Sequence, residues 1–368
     1  MKRDHFSKQS TKQLDYSAIN WNGEHIIVDA VDVLGVNAKV YGKIETQAAE
    51  LGINSVLHIL GPSGRTERGW ALGMYVAATA IIDSIAPMST QEFNLDVLSS
   101  NGRSVRRWID IFVDGDASLG SLFGDLLALQ WAACRVKTSF LCMKELINIM
   151  QNDYLEFIRY RSDEGAFLAC ALGFIVFKGV KLEQLPPGVL NMCVEACILN
   201  FDIHSMARHD KENDLMSLSH FIDITSHEAV GEVRLRAASM LLELSDCCDD
   251  PDISSITSLF AGCAILMNYT SRRYWAHSKE RDDNIDRQFH VDAQCNANDV
   301  KMCHSPPPEY AVPRMIPEDE EVADSMLENM LFLRESVSQR VYLGPLIKPR
   351  CSVKEVISNW GRAYSIII

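Results

Sequence analysis

The sequence predicts an all-α protein, and three observations carry that reading. Apolar residues recur at helical spacing through most of the chain. Val/Ile/Thr alternation bounded by turns is nearly absent, so no substantial sheet is expected. The 368 residues are 47% hydrophobic, enough to bury a large core.

Helices are expected near 44–60, 68–83, 104–113, 120–151, 152–160, 164–178, 188–209, 226–246 and 252–278. Pro186, Pro187 and Gly188 break the chain between two of them. Asp252, just after Pro251, marks the start of the last. Residues 281–317 change character: Asp- and Asn-rich first, then five prolines between His304 and Pro317. Such a stretch reads as a loop. An acidic-to-apolar helix follows over 318–339. The expected organisation is a polar segment 1–24, a helical domain 25–280, the loop 281–317, and a C-terminal helix and tail 318–368. That tail is free to pack back on the domain or to meet a partner.

Composition narrows the function. A formal charge of −14 disfavours nucleic acid and anionic membrane as main partners. The 11 cysteines lack framework spacing, and many sit in apolar runs, so they read as free buried thiols in a reducing compartment. The first fifteen residues contain no apolar run of a secretory leader. The uncharged stretch Ile253–Ser271 carries several hydroxyls and reads as a buried helix rather than a membrane span. A cytoplasmic protein is the expectation.

Four windows carry chemistry. Gly73 to Pro87 is an apolar helix ending in one acid, Asp83. Tyr154 to Gly165 holds Arg159 and Arg161 among acids, with Arg161 the stronger candidate and Arg159 its competitor. Phe201 to His209 follows an apolar run and contains Asp202, Ser205 and Arg208. Leu266 to Trp275 contains Arg272, Arg273 and Tyr274. No zincin, serine-hydrolase or dinucleotide motif is present, and Gly61–Gly64 lacks the rest of a phosphate loop.

In this order and at these intervals, the windows over roughly residues 25–280 resemble the class I terpene synthases. The nearest pattern is that of fungal trichodiene-synthase-like sesquiterpene cyclases. The resemblance implies an α-helical bundle, a Mg²⁺ cofactor and a linear prenyl diphosphate substrate. Asp83 stands at the aspartate-rich motif, Arg161 at the diphosphate sensor, with Gly165 at the helix break beside it. Residues 201–209 stand at the second metal motif, and Arg273 and Tyr274 at the closing Arg-Tyr pair. The chemistry needs these types together. Ionising an allylic diphosphate demands positive charge on its leaving group, from Mg²⁺ and from arginines, with apolar walls around the cation.

The departures are plain. Ser84 and Pro87 replace further acids of the first motif. Phe201 replaces an Asn/Asp ligand and His209 a Glu, so the usual three-ion cluster lacks standard ligands. A shifted frame puts Asn200, His204 and Arg208 on one helix face. A second, over Asn213–Ser217, fits the intervals less well. The resemblance therefore implies metal ligands at Asp83, Asn200, His204 and Ser205, and catalytic roles for Arg161, Arg273 and Tyr274. Diphosphate contacts fall to Arg161, Arg208, Arg273, Tyr274 and Lys279. Tyr75 and Phe201 line the substrate. The implied activity is a non-standard cyclisation of farnesyl diphosphate to a sesquiterpene hydrocarbon, humulene-type included. A homodimer stays open. The alternative is a catalytically dead relative that binds an isoprenoid or a protein.

Overall fold

The structure, a computed structural model, describes residues 38–89, 91–212, 218, 227–270 and 320–341. Its α-helices are α1 (Ala38–Leu60), α2 (Glu67–Ile85), α3 (Val105–Phe112), α4 (Ala117–Val136), α5 (Phe140–Asn152) and α6 (Tyr154–Glu164). They continue with α7 (Phe167–Phe177), α8 (Val189–Glu212), α9 (His227–Ser245), α10 (Pro251–Thr270) and α11 (Glu320–Ser338). The protein is mostly helical, as its periodicity predicts. Among the described residues, no helix is long and apolar enough to cross a membrane.

Local chemistry sets the boundaries. Thr66 caps α2 by accepting from the Gly69 N–H at 3.1 Å. Asp116 caps α4 through the Ser118 and Leu119 N–H groups at 2.9 and 3.0 Å. Asp250, rather than Asp252, takes the free N–H groups at the start of α10, from Asp252 and Ile253. The expected helix 120–151 is two helices. The chain turns at Lys137–Ser139, and Ser139 restarts it by accepting from the Cys142 N–H at 3.2 Å. A two-stranded hairpin, β1 (Ser99–Ser100) and β2 (Arg103–Ser104), turns on Asn101 and Gly102. Both turn residues have positive φ, 50° and 70°, which an Asn-Gly pair tolerates.

The helices pack as a bundle around α7. All eleven residues of α7 are buried, and it is apolar on every side, as a helix enclosed by others must be. It touches α2, α4, α6, α8 and α10. Helix α8 lies between α9 and α10, and α10 also meets α1. Helices α1 and α2 cross closely at two glycines: a Cβ on Gly52 would lie 1.9 Å from the Gly73 carbonyl oxygen.

The C-terminal helix packs back on the domain. Met330 of α11 is fully buried. Cys142 on α5 donates through its Sγ to the Ala323 carbonyl at 3.1 Å. Arg334 reaches α6, with Nε on Asp163 at 2.6 Å and Nη1 on Glu156 at 3.2 Å.

Candidate functional site

One buried chain of charge links four helices. Lys137, just past the end of α4, contacts Asp83 of α2 at 3.7 Å and pairs closely with Glu164 at the end of α6. Glu164 pairs in turn with Arg161, one turn earlier on α6. Arg161 then grips Asp202 of α8 in a bidentate pair, Nε to Oδ2 at 3.3 Å and Nη2 to Oδ1 at 2.5 Å. The Leu218 N–H also donates to Asp202, at 3.1 Å. The chain therefore alternates sign: Asp83, Lys137, Glu164, Arg161, Asp202.

It also runs from solvent to core. The Asp83 side chain is 31% exposed, Lys137 13%, and Asp202 fully buried. Burying such charges is costly in isolation and is tolerated when each meets a partner of good geometry. Three carboxylates against two cations leave a formal excess of one negative charge.

Helix geometry explains why these side chains meet. On α4, Gln130, Cys134 and Lys137 recur at one-turn spacing and so share a face. Gln130 donates to the Thr79 carbonyl at 2.8 Å and the Glu164 carbonyl at 3.2 Å. Cys134 donates to the Glu164 carbonyl at 3.5 Å. On α2, Tyr75, Thr79 and Asp83 form the corresponding stripe. Helix α6 stops at Gly165, beside Glu164, and α7 starts from Ala166 at φ 52°. A Cβ on Gly165 would lie 2.3 Å from the Phe167 ring, which would have to shift to admit a side chain there. Asp83, Cys134 and Glu164 bring one ligand atom each within 4.8 Å of one another.

Nearby groups are tuned by burial. The Asp163 carboxyl is pushed above its ordinary value by burial, with the Arg334 guanidinium pulling it part of the way back. The Cys170 thiol, 3.8 Å from the Thr79 hydroxyl, is raised to about 12 by burial, so it is not a thiolate nucleophile at neutral pH.

The residues expected from sequence divide into three groups. Asp83 and Arg161 are joined in the chain of charge, and Asp202 of the third window closes it. Ser205 is buried on α8, one turn beyond Asp202. Of the two arginines on α6, Arg161 is buried, while Arg159 is largely exposed and pairs with Glu156. Other expected residues lie in the core. Tyr75 is buried between Phe112 and Phe123 and donates to the Phe123 carbonyl at 3.4 Å. The Phe201 ring packs edge-on against Phe167 at 5.5 Å. Asn200 turns to α10, donating to the Ala261 carbonyl at 3.1 Å. Arg273, Tyr274 and Lys279 lie outside the described residues, as do the side chains of His204 and Arg208 on α8.

Sequence reasoning missed Lys137, Glu164, Gln130 and Cys134. The acids Asp110, Asp114 and Asp116 are exposed and lie outside the chain of charge, and Asp116 serves as a helix cap. A separate groove between α5 and α11, about 320 Å³, is lined by Leu141, Cys142, Glu145, Ala323 and their neighbours and includes no member of the charge chain.

The fold and site together define a helical bundle with an internal chain of ion pairs that reaches the surface at Asp83. No protein-family model, curated protein or solved structure matches this chain.

Proposed function

We propose that the chain is a non-standard class I terpene synthase. It binds a linear prenyl diphosphate, farnesyl diphosphate in the first instance, and cyclises the cation to a sesquiterpene hydrocarbon. One observation carries the reading. Asp83, Arg161 and Asp202 come from three separate windows of the sequence, yet they share one chain of ion pairs. A helical bundle assembled for stability alone has no need to join those three.

The residues then act as follows. Arg161, already held rigid, donates to diphosphate oxygens by exchanging its carboxylate partners for the substrate. Arg208, Arg273, Tyr274 and Lys279 add donors and charge. Apolar helix α7 and the ring of Phe201 exclude water from the developing cation.

The class I resemblance also implies Mg²⁺. The described donors do not form a magnesium cage: Mg²⁺ demands oxygen ligands in octahedral array, whereas Asp83 and Glu164 share their space with the Cys134 thiol and the Lys137 ammonium. Asn200 faces α10 instead. The positive charge on which this reading rests is the protein's own, from Arg161 and Lys137.

A second reading is favoured by one feature. Glu164 and Asp202 already neutralise Arg161, as suits a catalytically dead relative that binds an isoprenoid or a protein. A thermal-shift titration with inorganic diphosphate and with farnesyl diphosphate, each with and without Mg²⁺, tests the binding step. Saturating a site a hundredfold adds about 2.7 kcal/mol of stability, which raises the midpoint by a few degrees. A shift from both ligands supports the synthase. A shift from neither overturns diphosphate recognition.

A further inference from the structure

The geometry points to Lys137 as an internal cation that fills a metal-shaped site and excludes divalent ions from it. This inference goes beyond the synthase reading and concerns only which cation occupies the set Asp83, Cys134 and Glu164.

Two independent features make this place cation-seeking. The first is the ligand set: two carboxylates from different helices and a thiol, with ligand atoms close enough for one ion to bridge them. The second is the backbone. Helices α2, α4 and α6 all end here, at Ile85, Val136 and Glu164. Each contributes the partial negative charge of its C-terminal carbonyls. Asp83 and Glu164 sit in the last turns of α2 and α6, where their own charge is opposed by the helix ends, so a cation between them relieves both.

The ammonium of Lys137 is that cation. It follows directly on the last residue of α4, where a positive side chain is favoured. It reaches Asp83 at 3.7 Å and pairs closely with Glu164. The Gln130 side chain holds Glu164's backbone from the same helix face, and its own Oε1 is buried without a partner among the described residues. The site is thus polar and cation-ready, not an apolar seam that happened to trap a lysine. A tethered ammonium carries one charge and needs no metal supply. A divalent ion has to displace it against that tether.

The test uses Co²⁺, which binds thiolate and carboxylate and reports a Cys ligand by a charge-transfer absorption. Full-length wild type, Lys137→Met, Lys137→Ala, and each variant combined with Cys134→Ser are titrated with Co²⁺. Because the chain has 11 cysteines, only absorption lost with Cys134→Ser is counted. The expected result is no Cys134-dependent band in wild type. In the folded Lys137 variants, the band appears with Co²⁺ bound at least about tenfold more tightly. A Cys134-dependent band in wild type, or its absence from both folded variants, overturns the inference. Lysine-labelling footprints on wild type decide the matter if the variants do not fold. Lys137 labelling that is unchanged by millimolar Mg²⁺ supports the assignment, and labelling that rises with Mg²⁺ overturns it. None of these readouts depends on terpene formation, so a failed synthase reading and a failed lysine assignment are separable.

Discussion

Arg161 on α6 and Asp202 on α8 are locked in a two-point ion pair, with both groups withdrawn from solvent. The pair fixes the register of two helices around apolar α7. It is also the inner end of the chain that begins at partly exposed Asp83. Removing one partner of a buried pair strands the other charge, at a cost of about 3–5 kcal/mol. Asp202→Ala is expected to lower the unfolding free energy obtained from denaturant melts by that amount. Asp202→Asn keeps the shape and a hydrogen bond and is expected to lose less. Equal loss in both variants contradicts the ion-pair account.

Glu45 on α1 is fully buried against the hairpin, where the Gly102 N–H donates to Oε1 at 3.5 Å and Oε2 is without a partner among the described residues. Burial raises its carboxyl to about 7. An acid raised in the folded state binds its proton more tightly there than in the unfolded chain. Stability from this group is therefore full below about pH 4.5 and is lost as pH rises towards 7. The loss is on the order of 3 kcal/mol. Glu45→Gln is expected to flatten that part of the stability–pH curve and to be the more stable protein at pH 8. Parallel curves for the two proteins contradict the assignment.

The crossing of α1 and α2 leaves no room at Gly52, since an added Cβ would overlap the Gly73 carbonyl. Gly52→Ala must push the two helices apart, and overpacking of this kind costs about 1–3 kcal/mol or more. Gly42, with nothing within 4 Å of an added Cβ, is the control. Gly42→Ala is expected to be neutral or mildly stabilising in thermal melts, because alanine favours helix.

Arg334 is the polar anchor of α11 on α6, through Asp163 and Glu156. Arg334→Ala leaves the buried Asp163 carboxyl without its cation, for a loss of about 2–4 kcal/mol after allowing for partial exposure of the arginine. Hydrogen exchange is expected to rise first in α11. Exchange that rises first in α8 instead contradicts the anchoring role.

Much of the helix order was legible because a buried helix face leaves a 3.6-residue rhythm in the sequence. The runs at 188–209 and 226–246 match α8 and α9 closely. The break at Lys137–Ser139 was not read, since no Gly or Pro marks it; its signal is the single capping hydroxyl of Ser139. Missing that break hid Lys137, which becomes a helix-end cation only once α4 is known to stop there. The hairpin had a sequence signal in Asn101-Gly102 that went unused. Arg161 and Asp202 were legible through the order of the windows. Glu164 was not, because an Arg and a Glu three apart read equally well as a solvated pair. The packing of α4, α7 and α8 against α6 is what withdraws them from water.

The most direct test of the synthase reading is chemical. Purified protein is incubated with farnesyl diphosphate, with Mg²⁺ or with EDTA, and the extract is analysed by gas chromatography–mass spectrometry. The account expects a cyclic sesquiterpene hydrocarbon that depends on the enzyme and falls sharply in Arg161→Gln, checked to be folded. No hydrocarbon under either condition, from protein whose melting midpoint diphosphate does not move, contradicts it.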